Sequence, residues 1–335
     1  MNPLMQIAAP YLIFIGDEKD EVVAKTGFGV VQWRRSDCIG QTRLPGCGID
    51  LGIPDMTIEE AAAKGARTLI IGIAPPGGAL PHSWLEPLES ALAAGLDIAS
   101  GLHTKLSAVP LLKEGANRHG RRVIDIRQPI QQFPIGNGAK RTGNRLLTVG
   151  TDCAVGKKYT ALTIHEALTR RNIPATFRAT GQTGIMIGGG GVAVDAVVAD
   201  FVAGAAESLS PTAPDNHWDV IEGQGSLFHP AYAGVSLGLL HGSQPDAFVV
   251  CHEPTRKTMT GVRTAMPRIE DIIDATVRLG RVTNPDIRCV GIAINTRRLG
   301  EGEARALVKE TQARLDLPCT DPIRFGVDRI VEAFT

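Results

Sequence analysis

Short apolar runs recur along the chain, each closing on a polar or glycine-rich loop. YLIFIG (11–16), TLIIGIA (68–74), LDIASG (96–101) and RVIDI (122–126) read as strands. So do LLTVG (146–150), ATFR (175–178), WDVIE (218–222), DAFVVCH (246–252), CVGIAIN (289–295) and the short LPCT (317–320). Helical spacing lies between them. IEEAAAKGA (58–66) ends at Gly65, and residues 84–94 repeat Leu85, Leu88, Leu92 and Ala93 at three- and four-residue steps. Further helices are expected near 108–116, from Lys157 through Ala161, Leu162 and Ile164, and around Val197, Val198, Phe201, Val202 and Ala205. The acidic DEKDEVVAKTG (17–27) also reads as helical. Residues 32–57, with Arg34, Arg35, Cys38, Arg43 and Cys47 among Gly and Pro, read as loop.

Strand and helix alternate throughout, so the fold class is α/β, with mainly parallel sheets flanked by helices on both faces. The pattern is interrupted once, at RQPIQQFPIGNGAKRTGNR (127–145), where periodicity gives way to Pro, Gly, Asn and Gln. The expected organisation is a Rossmann-like domain over 1–126, a linker over 127–145 and a P-loop NTPase-like domain over 146–335. The first domain has no G-x-G-x-x-G, since GFG (27–29) lacks its third glycine. Pro75, Pro76, Gly77 and Gly78 stand where such sheets place ligand loops, and an ordinary tight turn explains them equally well.

The stretch 146–162, LLTVGTDCAVGKKYTAL, carries the clearest chemistry. A strand, a loop with Gly150 and Gly156, and Lys157 opening a helix make an anion cradle. Backbone N–H groups converge on phosphate oxygens, the helix N-terminus adds partial positive charge and the lysine a full one. The cradle comprises Gly150, Thr151, Asp152, Cys153, Ala154, Val155, Gly156, Lys157, Lys158 and Tyr159. It departs twice from G-x-x-x-x-G-K-[ST]: five residues separate the glycines, and Lys158 replaces the magnesium-binding hydroxyl. A cation there repels the metal that a nucleoside triphosphate needs, yet suits a metal-free diphosphate such as that of coenzyme A. Thr151 or Thr160 can still supply a hydroxyl, which keeps ATP with magnesium open.

Charge and composition narrow the partners. Thirty-five basic and 35 acidic residues balance, so no overall basic field favours nucleic acid or an anionic membrane. No apolar run approaches the roughly 20 residues that span a bilayer, and the N-terminus lacks a basic region before its apolar run. A cytoplasmic enzyme is expected, with a homo-oligomer as its usual state. The six cysteines show no C-x-x-C spacing and no zinc-like cluster with His, so no metal site is assigned. Cys153, inside the loop, is expected either to have a lowered thiol pKa or simply to fill a tight turn.

Several polar residues follow the predicted strands. Glu222 ends WDVIE where P-loop proteins place an acidic residue, and Gly-Gln-Gly-Ser follows with Gln224 and Ser226. His229 and His252 lie just beyond strands, near Glu222 and Glu253, so either pair reads as base and orienting acid. Arg178, Arg256 and Arg297 are candidates for carboxylate recognition, with surface ion pairs as the competing explanation. Thr183 and Gly184 lie in the polar loop after ATFR, and Gly184 and Gly189 offer backbone N–H groups to an oxyanion.

GTDCAVGKKYTAL, RATGQTG, the glycine run before DAVVADFVAG, VIEGQGSLFHPAY, LLHGSQPDAFVVCHEPTR and DPIR together resemble one bacterial family. It was formerly catalogued as a domain of unknown function and is associated with D-glutamate N-acetyltransferase activity in D-amino-acid catabolism. Its loop, beginning Gly-Thr-Asp with the five-residue spacer Thr151 to Val155, is similar to that of dethiobiotin synthetase. The resemblance implies acetyl-CoA as donor and an acidic amino acid as substrate. It also places Asn295 and Thr296 where the dethiobiotin-synthetase branch holds an adenine ring. The alternatives are an ATP- and magnesium-dependent carboxylase, ligase or kinase like dethiobiotin synthetase, and a nucleotide-binding protein without turnover.

Overall fold

The computed structural model describes residues 5–21, 23–73, 80–128 and 132–335; the expected ligand loop at 75–78 lies outside them. The strands are β1 (Met5–Gln6), β2 (Tyr11–Gly16), β3 (Cys38–Arg43), β4 (Thr68–Ile71), β5 (Asp97–Ser100), β6 (Val123–Asp125) and β7 (Asn144–Gly150). Then come β8 (Ala175–Arg178), β9 (Gly190–Gly191), β10 (Trp218–Ile221), β11 (Ala247–His252), β12 (Arg288–Ile294) and β13 (Cys319–Thr320). They fall into two units, one of Met1–Ile130 with Gln182–Ala196, the other of Gln131–Gly181 with Val197–Thr335.

The first unit is Rossmann-like, a parallel sheet in the order β3-β2-β4-β5-β6. Its interior strand YLIFIG, β2, is buried at every position, as a strand covered on both faces must be. Two expectations change here. Part of the segment read as loop, Cys38–Arg43, is an edge strand paired to β2. Its polar Gln41 is buried because its amide donates to Asp50 and its carbonyl oxygen accepts the Leu51 N–H. The helix expected over 17–27 begins only at Lys25 and runs to Trp33.

A third change concerns the chain path. Residues 182–196, expected in the second domain, belong to the first unit. They form a helix, Gln182–Gly188, and β9, which pairs antiparallel with β1.

The second unit is P-loop-like, a parallel sheet in the order β13-β12-β11-β7-β10-β8. The strand before the loop, β7, is central, held between β10 and β11. Leu146, Val220, Val249 and Cys251 share a buried cluster with Val155 of the loop and with Ala161, Ile164 and Leu168 of the helix Lys157–Arg170. Both ends of the loop are therefore anchored in the core. Residues 132–143, within the expected linker, have no regular structure, yet they are docked on this unit. A Cβ on Gly204 would stand 1.8 Å from the Pro134 carbonyl oxygen, and Arg141 donates to the carbonyls of Ser210 and Gly242.

Candidate functional site: a lysine-lined anion loop

Gly150 closes β7, and a Cβ there would stand 2.8 Å from Val155 Cγ2 and 3.2 Å from Lys157 Nζ. Gly156, with φ of +115°, makes the sharp entry into the helix that Lys157 begins. Ala154 sits at the exposed crest with φ of +55°. Lys157 is buried, and its ammonium donates to the Asp152 carbonyl at 2.7 Å. Desolvation by burial pulls its pKa down, and that carbonyl is the one hydrogen-bond acceptor it has among the described residues. A desolvated cation with protons to spare beside converging backbone is the chemistry an anion completes. Lys158 is half-buried, with its ammonium 4.3 Å from the Tyr159 ring centroid, and its charge acts on Glu222.

A clamp missing from the sequence reading holds the loop in shape. The carboxylate of Asp152 is fully buried, and its Oδ2 accepts from Arg256 Nη1 at 2.9 Å, the Thr260 N–H at 2.7 Å and the Thr260 hydroxyl at 2.9 Å. Arg256 also donates to the Cys153 carbonyl at 2.8 Å and pairs with Glu253 at 3.2 Å. Arg256 is thus spent on the loop and is not free for a substrate carboxylate. Thr260 had no sequence signal, since nothing in MTG (259–261) marks it as a partner of a residue more than a hundred positions earlier.

Neither proposed His–Glu pair forms. His229 is buried; its Nδ1 accepts the Ala231 N–H at 3.1 Å, so the proton sits on Nε2, which donates to the Thr260 carbonyl at 3.0 Å. Both nitrogens are thus already engaged by backbone groups. Tyr232 stacks on the ring, at 4.4 Å between centroids. His252 ends β11, and its Nδ1 lies 3.0 Å from Thr151 Oγ1. Burial holds it down at about 4. Glu253 bonds to Thr255 and Arg256 instead; burial raises its carboxyl, but those contacts bring it below the ordinary value.

Glu222 follows β10 directly. Its buried Oε2 accepts the N–H groups of Thr180 and Gly181, each at 3.1 Å, while Oε1 accepts nothing from the described residues. Burial raises its pKa, opposed by Lys158, the two N–H groups and Lys157. The next residue, Gly223, lies against β7 only because it has no side chain; a Cβ would stand 1.6 Å from the Thr148 carbonyl oxygen. Gln224 donates to Thr180 Oγ1 at 3.1 Å, and Ser226 is buried, accepting the Phe228 N–H.

The other candidates divide. Arg178 is held by Asp219 at 2.7 Å, itself buried and bonded to Ser210, which makes it a structural ion pair. Arg297 is exposed, and its guanidinium has no partner among the described residues. Asn295 donates its N–H to the His252 carbonyl, and its Cβ lies 3.9 Å from where a Cβ on Gly156 would be. Thr296 is consumed by Asp321, which takes both its N–H and its hydroxyl. Thr183 and Gly184 lie in the helix Gln182–Gly188 of the first unit, where Thr183 Oγ1 meets Thr26 Oγ1 at 3.2 Å; Gly189 also lies in that unit. The Cys153 thiol is pushed up by burial rather than down by the lysines, so the expectation of a reactive thiolate does not hold. Among the described residues no group of three His, Cys, Asp or Glu side chains is placed to hold a metal ion, and no helix is long and apolar enough to cross a membrane.

A central parallel strand running through a glycine loop into a lysine-headed helix, with an acidic residue after the adjacent strand, defines a P-loop protein. The chain belongs to the family DUF1611, domain of unknown function: its P-loop domain matches residues 134–331 and its Rossmann-like domain residues 37–129. Two curated relatives, each named D-glutamate N-acetyltransferase, are similar over nearly the whole length. That of Tritonibacter scottomollicae is 50% identical over 98% of both chains. That of a Pseudoalteromonas species is 48% identical over 98% of this chain and 99% of its own. A crystal structure of a DUF1611 protein from Anabaena variabilis is 33% identical, with a TM-score of 0.84 over 97% of this chain and 99% of that one.

Proposed function

We propose that this protein transfers the acetyl group of acetyl-CoA to the amino group of D-glutamate, as a step in D-amino-acid catabolism, with the 150–157 loop holding the coenzyme's diphosphate. The relatives support the reaction: at that identity over nearly full length, the chain is an enzyme of the N-acetyltransferase class. The observation that carries the donor is the lysine pair. Lys157 is a buried cation short of acceptors, and Lys158 puts a second charge beside Glu222, where a P-loop NTPase gathers its metal. Gly150, Gly156, Lys157 and Lys158 would hold the diphosphate, with Asn295 alongside.

Acetyl-CoA supplies an acetyl group already activated as a thioester. The chain must supply a base, because the acceptor amine is an ammonium near neutral pH and attacks only after losing a proton. With His229 fully engaged and His252 held low, Glu222 is the remaining candidate among the three. Its Oε1 accepts nothing from the described residues, and burial raises its pKa towards the working range. Arg297, the one candidate arginine whose guanidinium has no partner among the described residues, is the proposed contact for a substrate carboxylate.

Incubation of the purified protein with acetyl-CoA and D-glutamate, L-glutamate or D-aspartate is expected to release free thiol, most rapidly with D-glutamate. No release with any acidic amino acid would overturn the reading. Magnesium-dependent ADP formation from ATP in its place would move the protein to the dethiobiotin-synthetase-like alternative.

A further inference from the structure

A second cationic site lies in the Rossmann-like unit. A cavity of about 460 Å³ opens beside β6, the last strand in the order β3-β2-β4-β5-β6. That size is ordinary for a small-molecule site. Its rim carries Lys105, Lys113, Arg121 and Arg122 against one acid, Asp125. Asp125 neutralises none of them: its carboxylate oxygens accept the N–H groups of Leu106 and Ser107, at 2.8 and 3.0 Å.

The arginines are braced. Arg122 is pinned by Asp97 at 2.7 Å, and Arg121 donates to the carbonyls of Gly95 and Gly120. The ammonium groups of Lys105 and Lys113 have no partner among the described residues. The strand adds donors. The Ile98 N–H goes to the Arg122 carbonyl and the Ile126 N–H to the Ser100 carbonyl, so even-numbered residues face β5. By alternation the N–H groups of Val123 and Asp125 turn towards the outer edge, and both residues line the cavity.

We infer that this cavity binds a small anion carrying two or more negative charges, a phosphate ester or a dicarboxylate. The chain as a whole is electrically neutral, so this excess of cations is local rather than a reflection of overall composition. Unpaired lysines, a guanidinium fixed by backbone carbonyls and outward N–H groups match such an anion in charge and hydrogen bonding. The competing account is that the cations guard an open sheet edge against strand pairing with another molecule.

Calorimetry separates the two. In a Lys157→Ala background, which silences the 150–157 loop, pyrophosphate and glutarate are titrated separately at constant ionic strength, with sodium chloride as control. Saturable binding is expected, weakened at least tenfold by adding Lys105→Ala and Lys113→Ala. Tighter pyrophosphate identifies the phosphate-ester class and tighter glutarate the dicarboxylates. The same two substitutions in the otherwise native protein should leave acetyl transfer unchanged. If the double variant aggregates, Lys113→Gln alone, on the helix Pro110–His119, gives the same reading. Binding no different from the chloride control, or unaltered by loss of the lysines, overturns the site and leaves the cations as an edge guard.

Discussion

His252 should make stability fall on acidification in a way that one substitution removes. Burial holds the imidazole down at about 4, against 6.5 for the free side chain. A group depressed in the folded state contributes its stability above its unfolded pKa, here above pH 6.5, and loses it as pH falls through the folded value. At about 1.4 kcal/mol per tenfold change in proton affinity, the gap between 6.5 and about 4 amounts to about 3 kcal/mol. Gln at 252 does not titrate and can still meet Thr151, whose hydroxyl lies 3.0 Å from His252 Nδ1. Urea unfolding of the wild-type and His252→Gln proteins at pH 7, 6, 5 and 4 isolates the effect, since every other titrating group is shared. The wild type should lose about 3 kcal/mol more than the variant between pH 7 and 4. Parallel losses would refute the assignment of a partly buried, neutral His252 at the loop.

Other outcomes follow from the same geometry. Lys157→Ala should weaken acetyl-CoA binding about 100-fold, the worth of a charge-assisted contact, with thermal stability unchanged or raised because a buried charge is removed; equilibrium binding and a melting curve test both. Glu222→Gln should lower kcat by about 100-fold or more while leaving the KM for acetyl-CoA within a few-fold. In the wild type, the limb of the kcat profile that reports Glu222 should rise with pH, centred above the usual carboxylate value, and should vanish in the variant. Gly223→Ala should destabilise the protein by at least about 2 kcal/mol, because the new methyl would overlap the Thr148 carbonyl oxygen; denaturant titration reads it.

Much of the architecture is written in local pattern. Short β-branched apolar runs such as YLIFIG and DAFVVCH read as buried strands, and alternation with helices implies parallel sheets; both main sheets form as that rule requires. The loop was equally legible, because two glycines and a lysine between a strand and a helix act through backbone geometry and adjacent residues. Edge elements were less so. Cys38–Arg43 is a strand because β2 offers it hydrogen bonds and Gln41 finds partners, neither of which shows in its own polar composition.

What only the tertiary structure decided is which polar side chains remain free to act. From sequence, Arg178, Arg256 and Arg297 were equivalent, as were His229 and His252. Folding spends Arg178 on Asp219, Arg256 on Asp152, and both nitrogens of His229 on backbone groups. It places Thr183 and Gly184 in the unit that does not contain the loop. It also leaves Glu222 with one carboxylate oxygen unspent among the described residues. Sequence specifies the donor and acceptor types at each position; which of them are already satisfied depends on partners brought in from distant parts of the chain, and that is a property of the fold.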